Sequence, residues 1–477
     1  MLVACGGARA QALPFLAPGD SRLRTHIELD SDENAIPLST TWPLPSADLP
    51  AGERDALRGY NQPGSAADAG WFIAAAAKAT RLRTFSDAPR EDGEAGLMGG
   101  FTAGDYAGGA LRLSYAFSPA DGMHYRFDGS YLAWRFGNWW LTAGQQDRWW
   151  GPGWDSSLLL SSNARPMPGL GLERASSLPP DWRWLRWVGP WRLVTFVDHL
   201  ESKRADFDNT LFWGARFTFA PVHGLEIGIA RTAEFCGSHR PCGLHTFFDV
   251  LTAKSNRTIN ALPNPTPEQL LQKQSAQRIA WDLRWHPGQT PFAVYWQQYG
   301  EVFDSGNYRP RQLLELFGVE FGSWRVADGH FRSFLEYSGT TCGDVGLSGS
   351  DRPAYGCAYE KDTWRAGYRF RGRALGDAMD RDGRRVTLGG ILTDSGTESL
   401  EIRLRHFDLN RGGIAAVGLA PQSVTTVAER LWNVEVKFDG TFRRLRYSIG
   451  AGVDHGGPAD ASAHWAGRGF VSISQPW

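Results

Sequence analysis

Leu400-Glu401-Ile402-Arg403-Leu404-Arg405 is the stretch that decides the fold. In an extended chain Leu400, Ile402 and Leu404 share one face, and Glu401, Arg403 and Arg405 share the other. The phrase recurs toward the C-terminus. Val434, Val436 and Phe438 alternate with Glu435, Lys437 and Asp439, and Val471 and Ile473 lead in steps of two to Trp477. From Trp364 to Trp477 the pattern is about ten alternating residues followed by a turn. A soluble sandwich also alternates. Repetition over hundreds of residues, with aromatic strand ends, a terminal aromatic and charged residues at the inner-type positions, points to an outer-membrane β-barrel.

Working outward, further period-two segments read as strands at 111–117, 125–134, 140–145, 191–197, 211–219, 225–233, 279–285 and 292–299. Others follow at 314–321, 331–337, 364–370, 386–392, 400–407, 431–438, 446–453 and 470–474. Missed strands are expected near Arg83 and Trp182–Trp187. Single-chain bacterial barrels have even numbers, so the expectation is about eighteen. The long inserts 150–186, 236–275 and 340–362 are expected as extracellular loops or inward folds.

The first region differs. Asp20 can cap a helix carrying Leu23 and Ile27 on one face. Ser46 can cap a second helix running to Leu57, and Ser65 or Asp68 a third through the alanine run Trp71–Ala77. The expected organisation is a residual signal peptide over 1–12, a periplasmic helical bundle or plug over 13–83, and the barrel over 84–477. Ala10-Gln11-Ala12 reads as a signal-peptidase site, while Leu2-Val3-Ala4-Cys5 resembles a lipobox that would lipidate Cys5. The fold class expected is thus all-β with a small α region: an 18-stranded antiparallel transmembrane β-barrel plus an N-terminal helical bundle.

Composition agrees with this placement. The 477 residues include 21 Trp, 13 Tyr and 26 Phe, with a formal net charge of −1. Bulk charge therefore gives no case for nucleic acid. Mean hydropathy is −0.35, and no window approaches the ~18 uncharged apolar residues of a transmembrane helix. A barrel remains open, because its lumen-facing positions are polar. Aromatic rings suit both a membrane interface and a sugar cleft.

Of five cysteines, four form two close pairs in turn-rich sequence, Cys236 with Cys242 and Cys342 with Cys357. Two loop-stapling disulfides in an oxidising compartment are expected. Neither pair has C-x-x-C spacing, and only His239 lies between the first two, so no metal is expected. No cofactor is expected either. G-x-S-x-G, H-E-x-x-H, P-loop and G-x-G-x-x-G signatures do not occur in the sequence, so the chain is not expected to be an enzyme. Asp206 and Asp208 would model a glycosidase pair, but two acids in one loop are more often solvated.

The densest segment runs from Gln145 to Pro168. Arg148, Trp149, Trp150, Trp154, Asn163 and Arg165 are the candidate polysaccharide-binding residues. Pyranose C–H faces stack on indoles, and amide or guanidinium groups bind hydroxyls. Alternatively, the three indoles pack a loop against the barrel wall and Arg148 and Asp147 are paired internally.

This segment also carries a family resemblance. Asp128-Gly129-Ser130-Tyr131, Gly137-Asn138-Trp139, Asp147-Arg148-Trp149-Trp150-Gly151-Pro152-Gly153-Trp154 and Ser161-Ser162-Asn163-Ala164-Arg165-Pro166-Met167-Pro168 resemble the Wzi family of capsule-assembly proteins. Leu185 to Trp191, Leu225-Glu226-Ile227-Gly228, Arg231-Thr232 and Thr41-Trp42-Pro43-Leu44-Pro45 match as well. The resemblance implies an eighteen-stranded outer-membrane barrel, a helical bundle at its periplasmic end and a lectin-like role in attaching capsular or extracellular polysaccharide. The partners it implies are that polymer, outer-membrane lipid and the barrel-assembly machinery. The alternatives are a polysaccharide or oligosaccharide porin and an outer-membrane hydrolase.

Overall fold

Strand Ser399–Leu409 has the two faces that its sequence predicts. Glu401, Arg403 and Arg405 are buried toward the lumen, while Ile402 and Leu404 are exposed on the outside. An aqueous, filled interior takes the charges and lipid takes the aliphatics. The same inside–outside alternation closes the whole sheet. The computed structural model describes residues 13–34, 38–49, 69–78, 82–256, 259, 262, 264, 266–270, 272–288, 290–303, 310–326, 328–343, 353–361, 363–394, 397–413, 423–458 and 461–476.

Eighteen antiparallel strands form the wall. In chain order they are β1 Gly70–Ala77, β2 Gly93–Ala103, β3 Ala107–Phe117 and β4, a broken strand of Tyr125–Arg126 and Tyr131–Phe136 that pairs twice with β3. β5 Trp139–Gly144, β6 Gly169–Arg174, β7 Trp191–His199, β8 Leu211–Val222 and β9 Leu225–Phe235 follow. Then come β10 Ser275–Trp285, β11 Phe292–Gly300, β12 Leu314–Val326, β13 Gly329–Gly339 and β14 Arg384–Thr393. β15 Ser399–Leu409, β16 Glu429–Phe442, β17 Leu445–Pro458 and β18 His464–Pro476 complete the wall. β18 returns to β1, with Ile473 opposite Ile73 and Gly469 opposite Ala77. No open edge is left, which lipid requires. Tight turns after β2, β4, β8 and β16 lie at one end, together with Gly70 and Pro476. Short turns face the periplasm in this class, so the long connections lie outside the cell.

The first correction lies at the closure. The Trp71–Ala77 run, expected as the strongest helix, is strand β1. A uniform alanine run carries no period, so propensity alone pointed to helix. Pairing on both sides with β18 and β2 overrides it. The wall therefore begins ahead of residue 84. Among the described residues of 13–83 the expected helical bundle is represented by one helix, α1 Ser21–Asn34, and a single 3-10 turn at Ser46–Asp48. Most of the second expected helix, and Trp477, lie outside the described residues. α1 starts as predicted: the Asp20 carboxylate accepts the Leu23 amide at 2.8 Å, one of the otherwise unpaired first-turn donors.

Two further expectations change. The 364–370 segment is not a wall strand. Gly367 has a positive φ of 69°, and Arg369–Phe370 forms a two-residue hairpin with Arg373–Ala374 inside the lumen. Trp182–Trp187 contributes a 3-10 turn, Arg183–Val188, at the periplasmic end rather than a strand. Both expected disulfides are formed, with Cα separations of 4.7 Å for Cys236–Cys242 and 6.3 Å for Cys342–Cys357.

Candidate functional site

Into the lumen fold the N-terminal stretch with α1, the connection after β1 that carries Phe85, the insert 145–168 and the insert 353–383. Thr41–Trp42 pairs with Trp149–Trp150 as a short inner sheet. Trp150, Trp154, Leu158, Leu159, Leu160, Tyr359, Tyr368 and Phe370 then build an apolar core against the inner faces of Phe196, Phe212, Tyr295 and Phe334. The sequence of the central turn follows from crowding. A Cβ on Gly153 would sit 2.2 Å from the Ser156 carbonyl oxygen, and one on Gly151 would meet the Gln297 amide at 2.5 Å. Only glycine lets the backbone pass so close.

Charges hold this plug to the wall. Asp155 is fully buried and meets Arg405 at 2.9 Å, Arg385 at 3.2 Å and Arg403 at 3.4 Å. The Thr387 hydroxyl donates to it at 2.8 Å. Burial alone would raise this carboxyl, but the three guanidiniums hold it well below the usual carboxylate range. On the other side Arg24 of α1 donates to the Gly153 carbonyl at 2.7 Å and to Glu28 at 2.8 Å. Glu28 accepts from Arg332, which also donates to Glu320. A third cluster joins Arg369, Glu360, Asp380 and Arg381. Burying so many ions is tolerable only because each is paired with opposite charge.

The six candidates fall within this plug. Trp149, Trp150 and Trp154 are at most 1% exposed. Trp154 stacks on Phe334 with centroids 5.8 Å apart, lies under the Arg24 guanidinium at 4.0 Å, and donates its indole N–H to Glu320. Trp149 packs edge-on against Phe85, and Trp150 lies tilted against Phe196. Arg148 pairs with Asp198 and covers the Phe196 ring at 3.7 Å, while Asp147 pairs with Arg90. Asn163 donates to the Ala374 carbonyl at 2.8 Å, joining two plug inserts. Arg165 binds Asp128 with two nitrogens and Asp121 with the third, tying the 118–124 loop to the plug. All six thus make contacts within the chain itself.

The extracellular mouth offers different groups. Tyr355, at the turn closed by Cys342–Cys357, is 38% exposed, with the Arg411 guanidinium 6.0 Å from its ring. The turn is rigidly held. The Ala354 amide donates to the Cys342 carbonyl, and the Gly356 amide to both oxygens of Asp382. Burial pushes the Asp382 carboxyl up to about 6. The sequence signal for Tyr355 was an aromatic inside a Gly/Ser/Asp loop between two cysteines. Nothing local announced Arg411, which arrives from the connection after β15. Among the described residues no group of three His, Cys, Asp or Glu side chains is arranged to hold a metal.

Comparison with known proteins places this architecture. A protein of Klebsiella pneumoniae described only as an uncharacterized 55.8 kDa protein in the cps region is 30% identical over 336 residues, 66% of this chain. That alignment spans 63% of the relative, so the chain matches less than two thirds of its length. The structure of Escherichia coli Wzi, described as a carbohydrate-binding outer-membrane β-barrel involved in group 1 capsule assembly, superposes with a TM-score of 0.78 at 23% identity. It covers 97% of this chain and 99% of its own, which shows a common fold. The sequence profile of the capsule assembly protein Wzi family matches residues 77–454. With most of its length matched in this way, the chain belongs to the Wzi family and is a β-barrel of the bacterial outer membrane.

Proposed function

We propose that this protein binds capsular or extracellular polysaccharide at the cell surface and helps to attach and organise it, without turning it over. The observation that carries this reading is the plugged lumen, which inserted segments occupy except for a cavity of about 340 Å³ beside β1–β3 and β16–β18. Wall residues that would line a pore instead bind the plug, as Arg385, Arg403 and Arg405 bind Asp155. A barrel that spends its interior on holding its own loops presents a surface; it does not offer a path for a polymer. Membership of a capsule-assembly family supports the same reading.

In this reading the six plug residues act indirectly, by fixing the mouth, and Tyr355 with Arg411 is a contact candidate. An exposed ring beside a guanidinium suits a sugar's C–H face and hydroxyls. Each such contact is weak, and a polymer gains by engaging many barrels at once. Insertion by the barrel-assembly machinery belongs to the same proposal, because every wall strand must pair before lipid surrounds it.

The test compares Arg165→Ala, Trp154→Ala and Tyr355→Ala in cells that make the polymer. Loss of the gene should release polymer into the medium without stopping its synthesis. Tyr355→Ala should lower retained polymer while the barrel keeps its heat-dependent gel shift. Trp154→Ala should lower retention only together with loss of plug protection. Unchanged retention in the gene deletion sinks the proposal.

A further inference from the structure

Wall strands β7 to β10 carry a helix on their outer face. The lumen side of these strands is fixed by inward partners. Asp198 meets Arg148, Arg216 meets Asp282, and Glu234 meets Arg278. Alternation then places Val197, Leu211, Trp213, Ala215, Arg231, Ala233 and Phe235 outside. In the register Trp213 lies opposite both Val197 and Ala233, and Leu211 opposite Phe235. This outer patch, at the extracellular end of the strands, should meet lipid.

It is covered instead by α2, Leu244–Leu251, from the connection after β9. Val250 of the helix, fully buried, joins Trp213, Ala233 and Phe235 in one apolar cluster, with Phe247 packed beside them. Polar contacts fasten the same connection to the outer wall. Arg231 donates to the Leu251 carbonyl at 2.8 Å and the Val250 carbonyl at 2.6 Å, completing the helix C-terminus. Gln277 donates to Ser255, and Asn256 to the Ser275 carbonyl. The disulfide Cys236–Cys242 clamps the entry to the helix.

The apolar surface of α2 continues from its buried side on to one flank. Leu244, Phe248 and Leu251 form a stripe at i, i+4 and i+7, exposed by 79%, 57% and 41%. Only His245, Asp249 and Thr252 make a polar edge. An apolar arc that runs past the buried side of a helix on to an exposed flank belongs against an apolar medium. Its height fits. Strand β9 spans ten residue steps, Leu225–Phe235, at roughly 2.5 Å each along the membrane normal for a tilt of about 40°, close to the whole apolar band. The helix packs over the upper third of that band, and Ile229, 48% exposed, continues the apolar surface below it.

We infer that α2 is a membrane-embedded collar, with Leu244, Phe248 and Leu251 seated among the acyl chains of the outer leaflet. The occupant is lipid because the stripe is continuous with the lipid-facing wall and lies within its height. The collar also accounts for an arginine on the outer face, since the last carbonyls of the helix accept from the Arg231 guanidinium. It gives the protein a wider apolar footprint on one side, adding resistance to tilting and pulling. This inference rests only on the barrel geometry and stands whether or not the polysaccharide reading holds.

The test places a nitroxide at Phe248→Cys in the full-length protein in lipid vesicles and compares collisions with oxygen, which concentrates in lipid, and with a water-soluble nickel chelate. Ile229→Cys marks the lipid-facing wall and Lys203→Cys an aqueous loop. Phe248 should follow Ile229, with oxygen contact dominating, as should Leu244→Cys should the first variant fail to assemble. His245→Cys should be nickel-accessible. Nickel dominance at Phe248 and Leu244 overturns the proposal, as does protection from both reagents, which would mark a protein occupant such as a second copy.

Discussion

Asp155→Ala should unlatch the plug while leaving the wall intact. The carboxylate lies fully buried among three arginines of neighbouring strands, and its amide donates to Glu336 at 3.2 Å. Alanine leaves the guanidiniums of Arg385, Arg403 and Arg405 buried without their shared counter-charge. Breaking a buried pair from one side costs about 3–5 kcal/mol. The hub is counted once, because contacts that share one carboxylate do not add. At about 1.4 kcal/mol per decade, the ratio of displaced to seated plug rises by roughly two to four decades. The wall retains its closed ladder from β1 to β18, so the heat-dependent gel shift should persist. In planar bilayers the intact protein should conduct poorly, and the variant should open frequently. Asp121→Ala is the control. It removes a bridge to Arg126 and Arg165 near the loop end rather than a buried hub, and should change conductance little. If Asp155→Ala conducts no more than the parent, and amide exchange over 145–168 is unchanged, the charge lattice is not what seats the plug.

The remaining predictions concern pH and the disulfides. His26 on α1 is held neutral, its value lowered to about 4 by burial first, then by Arg22 and His330, against the opposing pull of Asp20 and Asp394. The unfolded ring takes up its proton first, so this group's contribution is complete above about pH 6.5 and is lost as pH falls toward 4. The loss is at most roughly 3 kcal/mol and less for a partly exposed ring. His26→Gln should therefore flatten plug stability, followed by amide exchange, between those pH values; an unchanged slope refutes it. Replacing Cys236 and Cys242 by Ser should cost about 2–3 kcal/mol by loop entropy and loosen exchange protection over 244–256, with barrel assembly preserved. Failure to assemble would show the staple to be needed for the wall itself.

What the sequence made legible divides along a physical line. The wall was readable because each strand repeats a two-residue period imposed by two different solvents, so Ile402 and Arg403 declare their sides without help from distant residues. Where that contrast vanishes, the reading fails: Ala74 to Ala77 say nothing about face, and β1 passed for a helix. The plug is harder for a deeper reason. Its residues are the types a sugar site would use, because Trp packing against Arg, Asp and Asn is chemically the same whether the partner is a glycan or the protein's own wall. Trp154 answers to Glu320, Glu336 and Phe334, all more than 160 positions away, and no local pattern encodes that. The same logic explains α2. Leu244, Phe248 and Leu251 lie in an insert expected only as an extracellular loop or an inward fold, and their stripe gains meaning once the odd-numbered residues of β8 and β9 are known to face lipid. A segment's chemistry is thus fixed by its medium, and the medium of an insert is set by which side of the wall it folds to: inward for the insert 145–168, where indoles become mortar, and outward for the connection after β9, where a leucine–phenylalanine stripe becomes a membrane contact.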